Sequence, residues 1–151
     1  NRADSSLHSI PLDDVLEDWL DRVSGLAVKK KIKIRIAPYQ EDETVLGDGE
    51  LICKVLENFL TNALRYAKKE VTIRISPEKK QTDISVEDDG DGIAAKDLPH
   101  LFERCYKGKD GNFGIGLAIA SSAAENMQGS VKGENRPEGG AVFTLTLKRP
   151  S

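Results

Sequence analysis

Residues 51–66 read LICKVLENFLTNALRY. The apolar side chains recur at steps of three and four residues, which is the spacing of one buried helix face. Asn58, Asn62 and Arg65 repeat at steps of four and three, so these polar side chains share a narrow stripe beside the apolar face. The sequence therefore predicts an amphipathic helix with converging polar groups. Its buried positions are predicted to be Leu51, Ile52, Val55, Leu56, Phe59, Leu60, Ala63 and Leu64.

Two interpretations of the asparagine stripe remain open at this point. An amide oxygen is a hard, neutral ligand for magnesium, whose shell is otherwise completed by phosphates and water. An arginine one turn further along the helix can meet a phosphate. The alternative is that Asn58 and Asn62 simply lie on the helix surface, although asparagine is a poor helix former.

A second motif, residues 86–93, reads VEDDGDGI and directly follows a predicted strand. Glycine permits a ligand to approach the backbone closely. A carboxylate accepts a hydrogen bond from the exocyclic amine of adenine, which gives Asp88 a specific task, while Gly92 leaves room for the ring. A calcium loop and a simple turn are the alternatives. The calcium loop is disfavoured because its remaining ligands and its terminal glutamate are not in register.

Two further glycine motifs follow. Residues 111–117 read GNFGIGL and enter a predicted helix, whose free N–H groups and positive dipole end suit phosphate oxygens. The motif is not a dinucleotide fingerprint, because no βαβ unit surrounds it, and the chain contains no P-loop. The pair Gly139-Gly140 precedes the last predicted strand, where a hairpin turn is the simpler interpretation.

The rest of the chain supplies two more helices and a set of short strands. Apolar spacing predicts a helix over residues 12–27 with Gly25 near its end, and Asp48 is the predicted cap of the helix that carries Asn58. Another helix is predicted over residues 114–127, with Gly129 as its stop. Alternation and turn residues predict strands over residues 10–12, 31–37, 44–46, 71–75, 82–86, 130–133 and 141–147.

Composition limits the possible functions. The 151 residues fit one domain, and 38% hydrophobic with 31% charged residues is typical of soluble globular proteins. No apolar run approaches the roughly 18 residues of a membrane span. The net charge of -3 argues against a nucleic-acid-binding surface. Cys53 and Cys105 have neither metal-ligand spacing nor the density of a disulfide scaffold, which favours a reducing cytoplasmic setting.

The first residues indicate how the domain is bounded. Residues 1–9 are polar and unpatterned, and the chain begins with Asn1 rather than methionine. We interpret residues 1–9 as the remnant of a linker from a preceding domain, and residues 10–151 as one domain taken from a longer protein.

Taken together and in order, four motifs resemble those of the catalytic domain of sensor histidine kinases. That family belongs to the superfamily that also holds DNA gyrase, the Hsp90 chaperones and MutL. Residues 58–66 look like its N box, and residues 88–92 look like its first glycine box. Residues 101–106, which read LFERCY, look like its F box, and residues 114–117 look like its second glycine box. The resemblance covers nearly the whole chain.

The resemblance implies a two-layer α/β sandwich. A mixed, mostly antiparallel five-stranded sheet would be covered on one face by three helices. ATP and Mg²⁺ would lie between the N-box helix and a mobile lid, which we define as residues 94–113.

The resemblance also implies roles for individual residues. Asn62 would coordinate magnesium with help from Asn58. Arg65 and Tyr66 would contact phosphates or adenine, and Asp88 would bind the adenine amine. The remaining nucleotide contacts would come from Gly90, Gly92, Ile93, Phe113, Gly114, Ile115, Gly116, Leu117 and Thr144.

Positive groups in the lid have a clear chemical use, because phosphoryl transfer spreads charge over oxygens that cations stabilise. The resemblance implies that Arg104 and Lys107 reach the γ-phosphate. They would form the catalytic group together with Asn58 and Arg65. Phe102 is interpreted as an anchor for the lid.

One departure from the superfamily separates transfer from hydrolysis. Hydrolytic members carry a water-activating glutamate four residues before the magnesium asparagine, whereas this chain has Asn58 there and Glu57 one place earlier. Hydrolysis is therefore expected to be slow. Neither His8 nor His100 lies in the His-Glu or His-Asp motif of a phosphoacceptor. The acceptor histidine is therefore expected on a separate dimerisation domain.

The leading hypothesis is a protein histidine kinase domain that binds Mg-ATP and phosphorylates a histidine of its own dimerisation domain. A cognate response regulator would receive the phosphoryl group. The parent protein would be anchored in the cell membrane, with this domain in the cytoplasm. Two alternatives remain: a serine kinase of the anti-sigma-factor type, which normally lacks so full an F box, and a non-catalytic nucleotide-binding module.

Overall fold

The computed structural model of the chain describes residues 7–40, 42–104, 106 and 115–150, with the backbone alone at 115 and 116. The order of helices and strands agrees with the sequence prediction. In chain order the elements are β1 (His8–Pro11), α1 (Leu12–Lys30), β2 (Lys33–Ile36), β3 (Thr44–Gly47), α2 (Gly49–Tyr66), β4 (Glu70–Pro77), β5 (Gln81–Asp88), a 3-10 helix (Leu98–His100), α3 (Ile115–Asn126), β6 (Ser130–Asn135) and β7 (Ala141–Lys148).

Five of the strands form one mixed sheet in the order β2-β4-β5-β7-β6. β2 runs parallel to β4, and the other neighbours are antiparallel. A hairpin joins β4 to β5, where Ile73 pairs with Val86 and Ile75 with Ile84. β1 and β3 form a separate two-stranded antiparallel sheet. The five-stranded sheet expected for the sandwich is therefore confirmed.

The core lies between one face of the sheet and the three helices. On β5, Ile84 and Val86 are fully buried, while the side chains that alternate with them are only partly buried, as strand geometry requires. α2 packs its apolar side chains on this face, and the Phe59 ring lies 5.5 Å from that of Phe143. The opposite face of the sheet carries mainly polar and charged side chains.

The first helix and strand extend beyond their predicted bounds. α1 passes through the exposed Gly25 and continues to Lys30. It ends there because Lys31 takes a left-handed conformation, with φ of 61°. β1 begins at His8, inside the segment interpreted as a linker, and His8 is exposed.

The caps of α2 and α3 give one confirmation and one correction. Asp48 caps α2 as predicted, since its Oδ1 accepts from Leu51 N at 3.0 Å. At the end of α3, however, the left-handed residue is Gln128, with φ of 61°, rather than Gly129. Gly129 N donates to the Ala124 carbonyl at 2.8 Å, so it satisfies one of the free carbonyls at the end of the helix.

A buried carboxylate joins three distant segments. Glu43 is only 4% exposed, and its Oε1 accepts from Thr82 Oγ1 at 3.0 Å and pairs with Arg149 Nε at 3.2 Å. The Glu43 backbone carbonyl accepts from Leu12 N at 3.0 Å. Arg149 also donates from Nη1 to the Glu78 carbonyl at 2.7 Å. The start of α1, the start of β5 and the segment after β7 therefore meet at one residue.

We expect the Arg149→Met variant to lose about 1–3 kcal/mol of unfolding free energy, because the Glu43 carboxylate would be left buried with one neutral donor. Urea unfolding followed by circular dichroism measures the change. The matched control is Arg74→Met, which breaks an ion pair with Glu87 on the open face of the sheet. That variant is expected to lose less than about 1 kcal/mol. Equal losses would show that the burial of Glu43 does not decide the effect.

Candidate functional site

Asp88, the last residue of β5, places a buried carboxylate at the end of the sheet. It is 2% exposed, and its Oδ1 accepts from Gly90 N at 2.8 Å and from Ala141 N at 3.3 Å. Within the described residues, no donor reaches Oδ2. Burial raises the pKa of Asp88, and the two backbone donors oppose only part of that increase. The carboxyl group is thus oriented through one oxygen and offers the other to a ligand.

The neighbouring Asp89 has a structural task instead. Its carboxylate accepts from the backbone N–H groups of Lys68, Lys69 and Glu70 at 2.7 to 3.2 Å. Burial alone would raise the pKa of Asp89, but these donors outweigh burial and lower the pKa below its ordinary value. Asp89 therefore fixes the connection between α2 and β4.

The loop after Asp88 lies directly against the end of α2. A side chain at Gly90 would overlap the carbonyl oxygen of Tyr66, the last residue of α2. At Gly92 an added Cβ would lie 2.8 Å from Asn135 Oδ1, so the missing side chain accommodates Asn135. Room for an adenine ring at Gly92 stays a prediction. The close contact at Gly90 places the glycine loop next to the helix that carries the polar stripe.

The asparagines of α2 are more buried than residues on a helix surface usually are. Asn62 is only 7% exposed, and Asn58 is half-buried. In the described part of the chain neither side-chain amide has a hydrogen-bond partner, and neither amide group is fully buried. Arg65 is exposed and Tyr66 is half-buried. A simple surface position is therefore excluded for Asn62, and its amide is available to a ligand.

The start of the lid is anchored on the sheet. Leu101 is 1% exposed, and the ring of Phe102 meets that of Phe143 edge-on at 6.2 Å. An added Cβ at Gly133 of β6 would lie 2.7 Å from the Leu101 side chain, so the contact is tightly packed. These contacts agree with the interpretation of Phe102 as an anchor.

A polar cluster holds the same segment. Tyr106 Oη donates to Asp97 Oδ1 at 2.6 Å, and this hydrogen bond raises the pKa of Tyr106. The His100 ring stacks on Tyr106 with centroids 4.9 Å apart, and its Nδ1 lies 2.8 Å from Glu103. His100 therefore has structural contacts within this segment. Arg104 is exposed and borders an open depression between α2 and α3.

Several predicted contacts fall partly or wholly outside the described residues. Lys107, Phe113 and Gly114 lie outside them, and Ile115 and Gly116 are described only as backbone at the start of α3. Leu117 is 4% exposed and belongs to the core, and Ile93 packs against the core while partly exposed. Their contacts with a nucleotide stay predictions.

Thr144 is separated from the other predicted site residues. On β7, Phe143 and Leu145 point into the core, so Thr144 lies on the opposite face of the sheet. Its hydroxyl oxygen is 3.0 Å from that of Ser85 on β5. Asp88 lies on the core side, so the two residues face opposite sides of the sheet, and the contact of Thr144 with a nucleotide stays a prediction.

The sequence interpretation missed two residues that hold the glycine loop from the connection between β6 and β7. Asn135 accepts from Ile93 N at 2.7 Å and donates to the Ile93 carbonyl at 2.9 Å. Arg136 donates from Nη1 to the Asp88 carbonyl at 2.7 Å. The partners are 42 and 48 residues apart in the chain, so no local pattern signals these contacts.

Comparison with known proteins identifies the arrangement. A family model described as "Histidine kinase-, DNA gyrase B-, and HSP90-like ATPase" matches residues 47–151, which include α2 and the glycine loops. The chain belongs to this family. The match covers the segments that carry Asn62, Asp88 and the F-box residues.

Curated relatives narrow the kind of family member. The domain is 32% identical over 162 residues to the signal transduction histidine-protein kinase AfsQ2 of Streptomyces coelicolor, with 97% of this chain and 28% of that protein covered. It is 32% identical over 147 residues to the sensor protein KdpD of Clostridium acetobutylicum, with 91% and 16% covered. The chain thus spans less than a third of the length of these relatives. It is a catalytic ATP-binding domain of the sensor histidine kinase type.

Solved structures confirm the fold. The catalytic domain of histidine kinase ThkA superposes with a TM-score of 0.82 at 22% identity, covering 95% of this chain and 97% of that one. Full-length ShkA, determined in complex with AMPPNP, superposes with a TM-score of 0.83 at 28% identity, covering 97% of this chain and 32% of that one. The predicted sandwich is therefore the architecture of solved histidine kinase catalytic domains.

Replacing Gly140 with alanine is expected to weaken nucleotide binding about 10-fold, because a small displacement of the ligand-holding groups is costly. Gly140 has φ of +87°, and an added Cβ would overlap the Asp88 carbonyl oxygen. Calorimetry with ADP measures the affinity. Gly139→Ala is the matched control: its φ is +108°, but nothing lies within 4 Å of an added Cβ. The same loss in both variants would assign the effect to backbone strain rather than to displacement of Asp88.

Proposed function

We propose that this domain binds Mg-ATP and transfers the γ-phosphoryl group to a histidine of a separate dimerisation domain, for relay to a response regulator. The observation that most directly supports this proposal is the orientation of the Asp88 carboxylate, whose Oδ1 accepts two backbone hydrogen bonds and whose Oδ2 is left to a ligand. In the transfer, the bond between the γ-phosphorus and the bridging oxygen breaks, ADP leaves, and phosphorus bonds to an imidazole nitrogen. The AMPPNP complex of ShkA supports an adenine nucleotide as the ligand class.

Adenine recognition is proposed at Asp88. Oδ2 would accept from the exocyclic amine, while Gly90 N and Ala141 N keep Oδ1 in place. A base that lacks the amine would leave a buried carboxylate oxygen without a donor, which is the kind of mismatch that gives strong discrimination. Tyr66 is proposed to border the same nucleotide because its carbonyl abuts the glycine loop.

The polar stripe of α2 suits a magnesium ion. An amide oxygen is a hard, neutral ligand, and magnesium completes its shell with phosphates and water, so one or two amides are sufficient protein ligands. Asn62 is the proposed ligand because the residue is largely buried while its amide keeps some exposure and has no hydrogen-bond partner in the described part of the chain. Asn58, one turn earlier, would assist. When bound, magnesium neutralises charge on the transferring phosphoryl group.

The side chains at positions 57 and 58 of α2 favour transfer of the phosphoryl group over hydrolysis of ATP. Asn58 occupies the place of the water-activating glutamate of hydrolytic relatives. Glu57 is exposed and lies one residue earlier, about 100° around the helix. Arg65 and Arg104, both exposed, are proposed to contact phosphate oxygens. The same role for Lys107 stays a prediction.

The surroundings of the domain are proposals as well. The relatives named above are kinases and sensor proteins much longer than this chain. None of the helices in the described part of the chain is long and apolar enough to cross a membrane. We propose that a longer parent protein supplies the dimerisation domain and a membrane anchor, and that this domain lies on the cytoplasmic side.

A reconstituted transfer reaction tests the proposal. The domain is mixed with the histidine-bearing helical hairpin of its parent and γ-labelled ATP, and the expected product is phosphohistidine, which loses its label in acid and keeps it in base. A hairpin with that histidine replaced by glutamine is the control and should stay unlabelled. Acid-stable label would favour the serine-kinase alternative. Nucleotide binding without a labelled acceptor would favour the non-catalytic module.

A further inference from the structure

The connection between β6 and β7 holds the main chain of Asp88. Arg136 Nη1 donates to the Asp88 carbonyl at 2.7 Å, and hydrogen bonds from a charged donor are stronger than neutral ones. Gly140 approaches the same carbonyl so closely that a side chain would overlap its oxygen. The end of β5 is therefore fixed by this connection as well as by its pairing with β4.

The Arg136 side chain extends from a closed turn. Its backbone N donates to the Gly140 carbonyl at 2.9 Å, and its carbonyl accepts from Gly139 N at 3.1 Å. The side chain is 22% exposed, and Nη2 lies 3.6 Å from Glu138 Oε2. The turn thus fixes the main chain from which the guanidinium reaches Asp88.

Asn135 holds the other end of the glycine loop. Its amide forms hydrogen bonds with both the N–H and the carbonyl of Ile93. Asp88 and Ile93 bound the loop that carries Gly90 and Gly92. Two consecutive residues therefore fix both ends of the loop that is proposed to receive adenine.

We infer that Arg136 is a positioning residue for adenine recognition, which sets the direction in which Asp88 Oδ2 meets the exocyclic amine by holding the Asp88 carbonyl. The inference rests on the proposed contact between Asp88 and adenine. A supporting effect is electrostatic: burial raises the pKa of Asp88, its neighbour Asp89 raises it further, and the charge of Arg136 opposes both. Arg136 thus acts on the adenine base only indirectly, through Asp88.

A cycle of two nucleotides and three variants tests this role. Calorimetry compares ATP with purine riboside triphosphate, in which hydrogen replaces the exocyclic amine. Wild-type protein should prefer ATP by about 10-fold or more. Arg136→Met should weaken ATP binding about 10-fold but change the affinity for the analogue by no more than about two-fold, so that the preference for ATP disappears. Arg136→Lys, which keeps the charge, should retain part of the preference. Glu138→Gln, which leaves the Asp88 contact intact, should retain all of it.

The outcomes separate this inference from the proposed function. If wild-type protein binds both nucleotides equally, the adenine contact of Asp88 is wrong and the inference fails with it. If wild-type protein discriminates and Arg136→Met weakens both nucleotides to the same extent, Arg136 only stabilises the loop, and the inference alone is overturned. Urea unfolding of each variant checks that it is folded. If Arg136→Met does not fold, the Arg136→Lys variant decides the question. An undiminished preference for ATP over the analogue in that variant overturns the inference.

Discussion

Replacing Asp88 with asparagine is expected to lower the affinity for ATP and ADP by about 100-fold while the domain stays folded. Asparagine has the shape of aspartate, and its single oxygen can still accept from Gly90 N and Ala141 N. The amide nitrogen then takes the place of Oδ2. It presents two N–H groups to the N–H groups of the adenine amine, so a hydrogen bond becomes a contact between two donors.

The geometry prevents the new amide from escaping this mismatch by turning over. A flipped asparagine would direct its nitrogen at Gly90 N and Ala141 N, which lie 2.8 and 3.3 Å from Oδ1 of the present carboxylate. Both groups are donors and the site is buried, so the flipped form would leave two backbone donors without acceptors.

Calorimetry with ADP in the absence of magnesium isolates this contact from any contribution of the metal. Asp89→Asn is the matched control, because Asp89 is the next residue and its carboxylate binds the backbone of residues 68–70. The control should lose stability towards urea but change the ADP affinity by no more than a few-fold. A larger loss of affinity in Asp89→Asn than in Asp88→Asn would reverse the assignment of the two carboxylates.

Replacing Asn62 with alanine is expected to slow phosphoryl transfer to the hairpin acceptor by about 100-fold or more, which is typical when one preorganised electrostatic contact is removed. Asn62 is 7% exposed as a residue, and its amide is the proposed magnesium ligand. Alanine is the best helix former, so α2 should persist. Binding of ADP without magnesium should change little, since the proposed contact with the adenine amine is made by Asp88 at the end of β5.

Asn58→Ala provides the matched control on the same helix. Asn58 is half-buried and is proposed only to assist, so its loss should slow transfer by about 10-fold. Initial rates at saturating ATP, measured with and without magnesium for both variants, give the comparison. A greater loss in Asn58→Ala than in Asn62→Ala would move the metal one turn towards the start of α2.

Local patterns were sufficient to predict the elements that carry the site. The steps of three and four residues in α2 follow directly from helix geometry, so they predict its polar stripe and most of its buried face. The exceptions are Leu51, which is only partly buried, and Cys53, which is buried but was not predicted to be. Asp48 was recognisable as a cap because side-chain acceptors satisfy the free N–H groups at a helix start. The same rules could not show that Asn62 would be buried, because its burial depends on how neighbouring elements pack on α2.

Contacts between distant segments account for most of what the sequence did not reveal. Arg136 reaches the Asp88 carbonyl across 48 residues, and its task depends on the sheet bringing β7 beside β5. From the sequence, Gly140 indicated only a turn. The fold requires glycine there because the Asp88 carbonyl leaves no space for a side chain.

At Thr144 the local pattern and the family resemblance point in different directions. Its own strand alternates clearly, with Phe143 and Leu145 as apolar neighbours on either side. Period-two alternation therefore already places Thr144 on the face away from the core. Its contact with a nucleotide depends on the resemblance alone and stays a prediction.

The contacts of Glu43 also have a mechanical consequence. Leu12 N and the Arg149 side chain both bond to Glu43, so the chain enters α1 and leaves β7 at the same corner. Glu43 also meets Thr82 near the start of β5, whereas Asp88 ends that strand, about 20 Å away for extended chain. The start of α1 and the segment after β7 are therefore tied through Glu43 to the strand whose other end carries Asp88.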